Sequence, residues 1–342
     1  MPFKQVQPRY NAGRRIKWLT ISVFGVVVAA SIAWFALARY LDGQVSTQLA
    51  NLADNGVAID CAERSVIGYP FRMGIDCASL SINDNETDAI ATTGEFRAAA
   101  LLYQPSQIVG AITSPATLVQ DGNAVRADWS DLRFVTNIDR DRQTLTQVNI
   151  RSKDPSVQIS ANELFAAETV EFFARSAIDG NAGAKIASRI TDVTTLFADF
   201  EAVEMPPIAL EFDVEFAKPL PASLDDQQRT DFVRGLAGTV NRAAAVLSND
   251  QGMIISGPFD FDDAGLLNAN LELRIIDVDA ITQLMASKVG VGAEFTALIN
   301  ALPRSGPNGD EVQIPIRVSD GQVLFAGFPI FDIPAAIPDV PN

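Results

Sequence analysis

The chain has 342 residues, a formal net charge of −16, 48% hydrophobic residues and 20% charged residues. These proportions are typical of a folded protein and argue against wholesale disorder. The chain contains no histidine and only two cysteines. This composition excludes Ser-His-Asp and Cys-His catalysis, His-ligated zinc sites and four-thiolate metal sites within one chain. We therefore expect no metal and no cofactor.

The charge is divided unevenly along the chain. Six of the 26 basic residues lie in residues 1–40, which contain no acidic residue, so 42 acidic residues face 20 basic ones after residue 40. Such an acidic body repels phosphate backbones. We expect no nucleic-acid partner.

Residues 18–38 form an uncharged stretch of 21 residues that begins at Trp18 and has Trp34 near its end. A helix of this length crosses a hydrocarbon layer of about 30 Å, and tryptophan is enriched at the two interfaces. Basic residues precede the stretch and predict that the N-terminus stays in the cytoplasm. Those nearest to it are Arg14, Arg15 and Lys17.

A cleaved signal peptide is the alternative interpretation of this segment. Ala36-Leu37-Ala38 resembles a cleavage site with small residues, which would release the chain after Ala38. The apolar stretch is longer than the usual core of about 7–15 residues in a signal peptide, which favours a retained anchor. In either case the rest of the chain is exported.

The chain beyond the anchor divides into a stalk, a body and a tail. A helical stalk is predicted because Leu41, Val45, Leu49 and Leu52 are spaced by three and four residues. Proline recurs in the tail, which should be extended. The predicted parts are 1–17 (cytoplasmic basic segment), 18–38 (transmembrane anchor), 39–55 (helical stalk), 56–330 (extracytoplasmic β-rich domain, with a sub-boundary near 206–221) and 331–342 (Pro-rich tail).

Short alternating segments separated by turn residues predict a large, curved, mainly antiparallel β-sheet with a few packed helices, an α+β and β-rich fold. The clearest strand is Ile208–Phe216, in which Glu211, Asp213 and Glu215 share the face opposite to the apolar residues. Asp320-Gly321 predicts a hairpin between Val312–Val318 and Gln322–Phe325. Similar reasoning predicts strands at 57–60, 66–80, 94–103, 117–120, 125–129, 132–138, 145–150, 157–160, 253–261 and 266–275.

Two stretches predict helices. Residues 224–247 carry apolar side chains at helical spacing after a capping Ser223 and two acidic residues. Ser160-Ala-Asn-Glu163 has the pattern of a capping box, which favours a short helix within 160–177, followed by a hairpin. Alternation of Val170, Phe172 and Ala174 argues for a strand instead. Two further short helices are expected at 279–288 and 293–302.

Cys61 and Cys77 flank a turn formed by Gly68-Tyr69-Pro70-Phe71-Arg72. An exported chain with two cysteines favours a disulfide, which would stabilise the fold by about 3 kcal/mol for a loop of about 15 residues. A redox-active role requires closer spacing, such as Cys-x-x-Cys. We therefore predict a hairpin at the start of the exported domain that is linked by the disulfide.

Several short motifs in a fixed order carry a family resemblance. They are Gly68-Tyr-Pro-Phe-Arg72 with Cys77, Tyr103-Gln-Pro105, the Asp262–Leu271 hairpin, Val318-Ser-Asp-Gly-Gln-Val323 and Gly327-Phe-Pro329. With these motifs the chain resembles the bacterial family called domain of unknown function 2125. The resemblance implies an envelope protein anchored in the inner membrane, and it carries over no catalytic residue.

Three classes of function follow from the sequence. The first is a non-catalytic, membrane-anchored periplasmic protein that binds a lipid-like ligand or an envelope partner protein. The second is a structural or scaffolding envelope protein without a ligand. The third is a carboxylate-based hydrolase of envelope glycans, which needs two acids about 5–9.5 Å apart. No such acidic pair stands out in the sequence. Asp260, Asp262 and Asp263 lie close together, but they fit a solvated turn better than a calcium loop.

Overall fold

The computed structural model describes most of the chain as one long helix followed by a β-rich body. The described residues are 12–54, 56–85, 87–139, 144–159, 162–176, 183–196, 206–220, 226–248, 251–284, 297, 299–306, 309–325 and 328–336. Helix α1 covers Ala12–Asp54 without a break, so the apolar segment and the stalk are one helix. It contains the one stretch, among these residues, that is long and apolar enough to cross a membrane.

The body consists of two antiparallel sheets, called here the short sheet and the long sheet. In spatial order the short sheet contains β1 (Val57–Ala62), β4 (Ser79–Asp84), β5 (Ala89–Thr93), β8 (Ala116–Gln120), β9 (Asn123–Asp128), β12 (Ser156–Ile159), β13 (Asn162–Ala166) and β16 (Thr195–Leu196). The long sheet contains β2 (Ser65–Ile67), β3 (Arg72–Cys77), β6 (Phe96–Leu101), β7 (Gln104–Ile112), β10 (Asp131–Asp139), β11 (Thr144–Lys153), β14 (Thr169–Ser176), β15 (Ala184–Val193), β17 (Ile208–Phe216), β18 (Ala237–Ser248), β19 (Gln251–Phe261), β20 (Leu267–Ile276), β21 (Glu311–Ser319), β22 (Gln322–Phe325) and β23 (Phe328–Asp332).

The chain passes repeatedly from one sheet to the other up to β16. Each passage takes only one to three residues, as at Ala78 between β3 and β4 or at 129–130 between β9 and β10. Each pair is therefore nearly one long strand with a sharp bend. The bends lie side by side and form a common line, which we call the crease.

Backbone hydrogen bonds continue through the crease. The amide of Ala78 donates to the carbonyl of Ala62 at 2.9 Å, and the amide of Asp154 donates to the carbonyl of Glu168 at 2.7 Å. The bend also uses residues with positive φ, including Glu63 at 50° and Asp154 at 47°. Since the ladder is not interrupted, the two sheets are joined along the crease as one folded sheet.

Beyond β16 the long sheet continues alone, and helices cover its apolar face. Helix α2 (Asp226–Val233) places Phe232 against Phe216, with ring centroids 6.1 Å apart. Helix α3 (Val278–Leu284) buries Val278 and Ile281 in one cluster with residues of β20 and β21. This C-terminal part therefore has a closed core.

The helix predicted over 224–247 is wrong for most of its length. Only α2 is helical, and the chain then forms β18. Val240 and Ala243 of β18 lie on the same face of the sheet. A bulge places two residues, Asn241 and Arg242, between them, where a regular strand has one. This extra residue changes a spacing of two into one of three, which imitates a helical stripe.

The short helix favoured within 160–177 is also wrong. Residues 162–166 and 169–176 are strands β13 and β14, while Ser160 and Ala161 lie outside the described residues. β14 pairs with β11 on one side and β15 on the other. This pairing on both sides outweighs the local preference of a capping box.

The β-rich class with mainly antiparallel pairing is confirmed. Strand β17 has the predicted bounds, and β21–β22 form the hairpin expected at Asp320-Gly321. Of the short helices expected at 279–288 and 293–302, α3 and a helical turn at 299–301 are described; residues 285–296 lie outside. The hairpin expected after the helix within 160–177 turns at 179–183, and residues 177–182 lie outside the described residues.

Candidate functional site

The long sheet has one apolar face, called here the inner face. Residues directly opposite each other in antiparallel pairs lie on the same face of a sheet. The pairing therefore defines a row that crosses the sheet through its middle. The row is Ile75, Ala98, Gly110, Phe134, Ile150, Phe172, Ser188, Phe212, Ala243, Ile255, Leu273 and Ile314.

The short sheet also has one apolar face. Ile59 pairs with Ile82, Ile82 pairs with Ala91, and Ala91 pairs with Leu118. The same row continues through Val125 and Ile159 on β9 and β12. Each sheet thus has one face suited to lipid or core and one suited to water.

The disulfide between Cys61 and Cys77 shows how these faces are oriented. Cys61 lies on the apolar face of the short sheet, two residues after Ile59 in β1. Cys77 lies on the inner face of the long sheet, two residues after Ile75 in β3. The sulfurs are bonded and the two Cα atoms are 5.2 Å apart. The two apolar faces therefore face each other at the first end of the crease.

A hydrophobic cluster shows the same orientation at the other end. Phe165 of β13 packs with Ile190 and Leu210 of the long sheet around the buried Val193 and Ile208. The space between the two apolar faces, from the disulfide to this cluster, is called here the groove. Eight strands about 4.8 Å apart give it a length of roughly 34 Å.

The groove is not filled by its own side chains. Among the described residues from 57 to 176, the buried hydrophobic side chains are Cys77, Ala167 and Ala174, all of them small. Ile75, Phe134, Ile150 and Phe172 are half-buried. A folded core of this size would bury several large side chains completely.

Two aromatic features mark the floor of the groove. The rings of Phe96 and Phe134 stack at 6.2 Å across β7, where Gly110 leaves room for them. A Cβ on Gly110 would lie 2.3 Å from the Phe134 ring. Further along the row, Phe212 is 41% exposed although it lies in the middle of a central strand.

The opposite, outer face of the long sheet carries charges in rows. Arg133, Arg151, Glu171, Arg189 and Glu211 lie opposite one another on five consecutive strands. Arg189 and Arg242 both contact Glu211. A trough of about 520 Å³ lies between this row and the next. Because each of these cations forms an ion pair with a neighbouring carboxylate, we assign this face to contact with water.

Asp213 belongs to the same outer face. Burial favours its neutral form, but hydrogen bonds from Lys185 and Asn241 outweigh burial and lower the pKa of the Asp213 carboxyl. The Lys185 ammonium lies 2.9 Å from Asp213 and has a raised pKa, chiefly through this hydrogen bond. The acidic face predicted for β17 thus consists of residues in ion pairs.

A second acidic group lies on the crease. A hydrogen bond with Asp192 raises the pKa of the Glu168 carboxyl, and the charges of Asp192 and Asp154 act in the same direction. Glycoside hydrolysis needs acids about 5–9.5 Å apart with the scissile bond between them. Two carboxyls in direct hydrogen bond do not meet that requirement.

The predicted turn lies against helix α1. The Trp34 indole donates a hydrogen bond of 3.0 Å to the carbonyl of Arg72, and the Tyr69 hydroxyl lies 2.6 Å from Ser31 Oγ. Trp34 is 7% exposed, whereas Trp18 is 63% exposed. The turn therefore packs on the helix beside Trp34, and Phe71 at its tip is exposed.

The other predicted residues are placed as follows. Gly68 has φ of 106° and its carbonyl accepts the amide of Arg72, which closes the turn around Pro70. Arg14, Arg15 and Lys17 lie in the first part of α1. Asp262 accepts the amides of Ala264 and Leu266 at 2.9 and 2.8 Å, so it serves its own turn.

A family model described as "uncharacterized protein conserved in bacteria (DUF2125)" matches residues 34–334. The chain belongs to this family. The matched segment runs from Trp34 on α1 through the turn, the groove and the closed C-terminal part. Neither the curated proteins nor the solved structures contain a match to this chain.

Apolar alternation in the sequence predicts many strands of this DUF2125 protein, but it does not identify the groove residues as a set. Phe134, Phe172 and Phe212 are far apart in the sequence, and only the strand order brings them into one row. The signal was present in each strand as apolar alternation. What the sequence lacked was the information that two such faces oppose each other without filling the space.

Proposed function

We propose that the protein is a membrane-anchored component of the bacterial cell envelope that binds a lipid-like ligand in the groove and has no catalytic activity. Helix α1 would span the inner membrane once, with its basic N-terminus in the cytoplasm and the β-rich body in the periplasm. The basic residues before the apolar segment support this orientation.

The unfilled groove is the observation that carries the proposal. Opposed apolar faces with half-buried Phe134, Ile150 and Phe172 leave hydrophobic surface in contact with solvent. Removing apolar surface from water is favourable by about 25 cal/mol per Å². An apolar ligand that covers the groove would therefore lower the free energy of the complex. Ligand sites in proteins are typically concave and mainly apolar.

The shape of the groove favours an elongated ligand. It is roughly 34 Å long by strand spacing and has walls several residues high. The described inner face offers a few hydroxyls, such as Ser188 and Thr136, among mostly aliphatic and aromatic side chains. An acyl chain matches this lining, whereas a sugar or a nucleotide would lose most of its hydrogen bonds to water there.

The contacts of α1 favour a retained anchor over cleavage after Ala38. Trp34 and Ala38 are both buried, and Ser31 and Trp34 are hydrogen-bonded to the turn. Cleavage would remove Ser31 and Trp34, so the Tyr69 hydroxyl and the Arg72 carbonyl would lose these hydrogen bonds. The mass of the purified, membrane-extracted protein should therefore include residues 1–38.

The test is lipid analysis of the full-length protein after purification in mild detergent. We expect phospholipid or another acyl lipid to co-purify in a fixed molar ratio and to appear as bound mass in native mass spectrometry. Lipid-free protein under conditions that keep the disulfide and the strand content would overturn the proposal and favour the scaffolding alternative.

Phe172 and Phe173 provide a matched pair of variants. They are adjacent in β14 and both half-buried, but Phe172 lies on the inner face and Phe173 on the outer face. Phe172→Asp should reduce the bound lipid strongly, because a carboxylate in the groove would have to be desolvated. Phe173→Asp should leave lipid binding unchanged. Equal loss in both variants would point to misfolding, which circular dichroism would reveal.

A further inference from the structure

We propose that the first two hairpin turns of the long sheet insert into the membrane leaflet that faces the β-rich body. The groove then begins at the membrane surface. The turns are 68–71, between β2 and β3, and 102–103, between β6 and β7. The inference rests on the proposed membrane anchoring by α1 and does not require that the groove holds lipid.

Two fixed contacts set the position of the first hairpin along α1. Arg64 forms an ion pair of 2.9 Å with Asp42, and Tyr69 contacts Ser31 at 2.6 Å. The eleven residues between Asp42 and Ser31 span about 16 Å of helix. The five residues from Arg64 to Tyr69 span about 16 Å of extended chain. The strand therefore runs alongside the helix, back toward the apolar segment.

This alignment places the turn at membrane depth. Ser31 lies seven residues before Ala38, the last residue of the uncharged stretch, which corresponds to about 10 Å along the helix. The headgroup layer on each side of the hydrocarbon core is only about 5–7 Å thick. With α1 across the bilayer, Tyr69 at the level of Ser31 lies at or below the acyl boundary.

The turns carry side chains that suit this position. Phe71 is 70% exposed and Tyr103 is 76% exposed, and Tyr69 and Leu102 are also exposed. The amide of Leu102 donates to the carbonyl of Phe71 at 3.0 Å, so the two turns form one surface. Tyrosine and phenylalanine on an exposed surface beside a membrane helix are typical of interfacial anchoring.

Sheet twist confines the contact to this end of the long sheet. Neighbouring strands rotate by roughly 20–25°, so β14 and β15, four and five places beyond β6, are turned by about 100° relative to it. The long sheet there is inclined away from the bilayer. The inner face of β3 and β6, which starts at Met73 and Ala100 beside the turns, thus adjoins the acyl chains. An acyl chain would pass from the leaflet into the groove without crossing water.

The experiment uses variants of the full chain that each carry one added cysteine, which is labelled with an environment-sensitive fluorophore. Cys61 and Cys77 are bonded to each other and do not react with a thiol reagent. Phe71→Cys and Tyr103→Cys report on the two turns. Val119→Cys, exposed at the far end of β8 beyond the crease, is the control outside the membrane. Val23→Cys in α1 is the control within it.

The labelled proteins are reconstituted into phosphatidylcholine–phosphatidylglycerol vesicles that contain lipids with a nitroxide near the headgroup. We expect a blue shift and loss of emission at positions 71 and 103, and neither at position 119. If the label at position 23 is quenched while those at 71 and 103 behave like that at 119, the inserted turns are disproved and the anchor stands. If the label at 23 is not quenched either, the proposed anchoring fails as well.

Discussion

Ile150 on β11 and Ile314 on β21 occupy the same row of the same face of the long sheet, yet Ile150 is half-buried and Ile314 is 4% exposed. The difference comes from what lies above them. Over β19–β21, α3 and the helical turn at Ile299 cover the sheet and close a core. Over β3–β14 the short sheet faces the long sheet from the crease, and Ile150 and its neighbours in the row stay half-buried.

The same strand chemistry therefore produces a core at one end and an open groove at the other. Apolar alternation specifies only that one face of a strand is hydrophobic. The element above that face determines whether protein side chains or a ligand cover it. If this comparison is right, substitutions in the closed part should affect mainly stability, and those in the groove should affect mainly ligand.

The largest effect is expected from alanine substitution of these two isoleucines. Ile314→Ala should reduce the free energy of unfolding by about 2–5 kcal/mol, because it leaves a cavity in a closed core. Ile150→Ala should cost about 1 kcal/mol, because its side chain is only half-buried, and should lower the amount of bound lipid. Chemical denaturation of both variants measures the difference. Equal costs would mean that the groove is a filled core.

The disulfide should be the next largest contribution, and its effect should be confined to the open part. Cys61→Ala with Cys77→Ala removes a link across 16 residues, worth about 3 kcal/mol by chain entropy. Hydrogen exchange should accelerate in β1, β3 and β4, while the amides of β20 and β21 keep their protection. Uniform acceleration along the chain would contradict two separately stabilised parts.

Strand positions could be predicted where alternation and turn chemistry agreed. Strand β17 has strict alternation and appears with the predicted bounds, and the β21–β22 hairpin has an Asp-Gly turn and appears with its first strand one residue longer at each end. The helix expected over 224–247 failed because a bulge at Asn241–Arg242 imitates helical spacing, and because three consecutive alanines, 243–245, favour helices locally. Pairing with β17 and β19 outweighed this preference.

The groove could not be predicted because it depends on non-local order. Consecutive strands such as β9 and β10 belong to different sheets, so the bend at 129–130 reads as an ordinary loop in the sequence. The cysteines were a partial signal: they indicated that two segments meet, but not that their apolar faces oppose each other. Contact between Tyr69 and Ser31 was equally invisible, since 38 residues separate them.

A smaller effect is expected from Gly110→Ala in the floor of the groove. The new Cβ would lie 2.3 Å from the Phe134 ring and 2.6 Å from the carbonyl oxygen of Arg97. The ring would have to leave its stack with Phe96, at a cost of about 1–3 kcal/mol, and would enter the groove. Lipid binding should fall with it. Gly122→Ala, at a turn where nothing lies within 4 Å, is the control for lipid binding.

The smallest effects should come from the two acidic groups, and they should have opposite signs. Hydrogen bonding with Asp192 raises the pKa of Glu168, so the folded protein holds this proton more tightly than the unfolded chain. This contribution is present at low pH and is lost as the pH rises through the raised pKa. Glu168→Gln should therefore be slightly more stable than the parent protein at neutral pH and equal to it in acid.

Asp213 is the matched opposite case, because its pKa is lowered in the folded state by Lys185 and Asn241 despite partial burial. Its contribution is present above the ordinary aspartate pKa and is lost as the pH falls through the lowered one. Asp213→Asn should cost about 0.2–1 kcal/mol at neutral pH, since the ion pair is partly exposed, and nothing in strong acid. Thermal unfolding of both variants across this pH range measures the two slopes. Slopes of the same sign would show that the crease acids are stabilised by partners in the same way as those of the outer face.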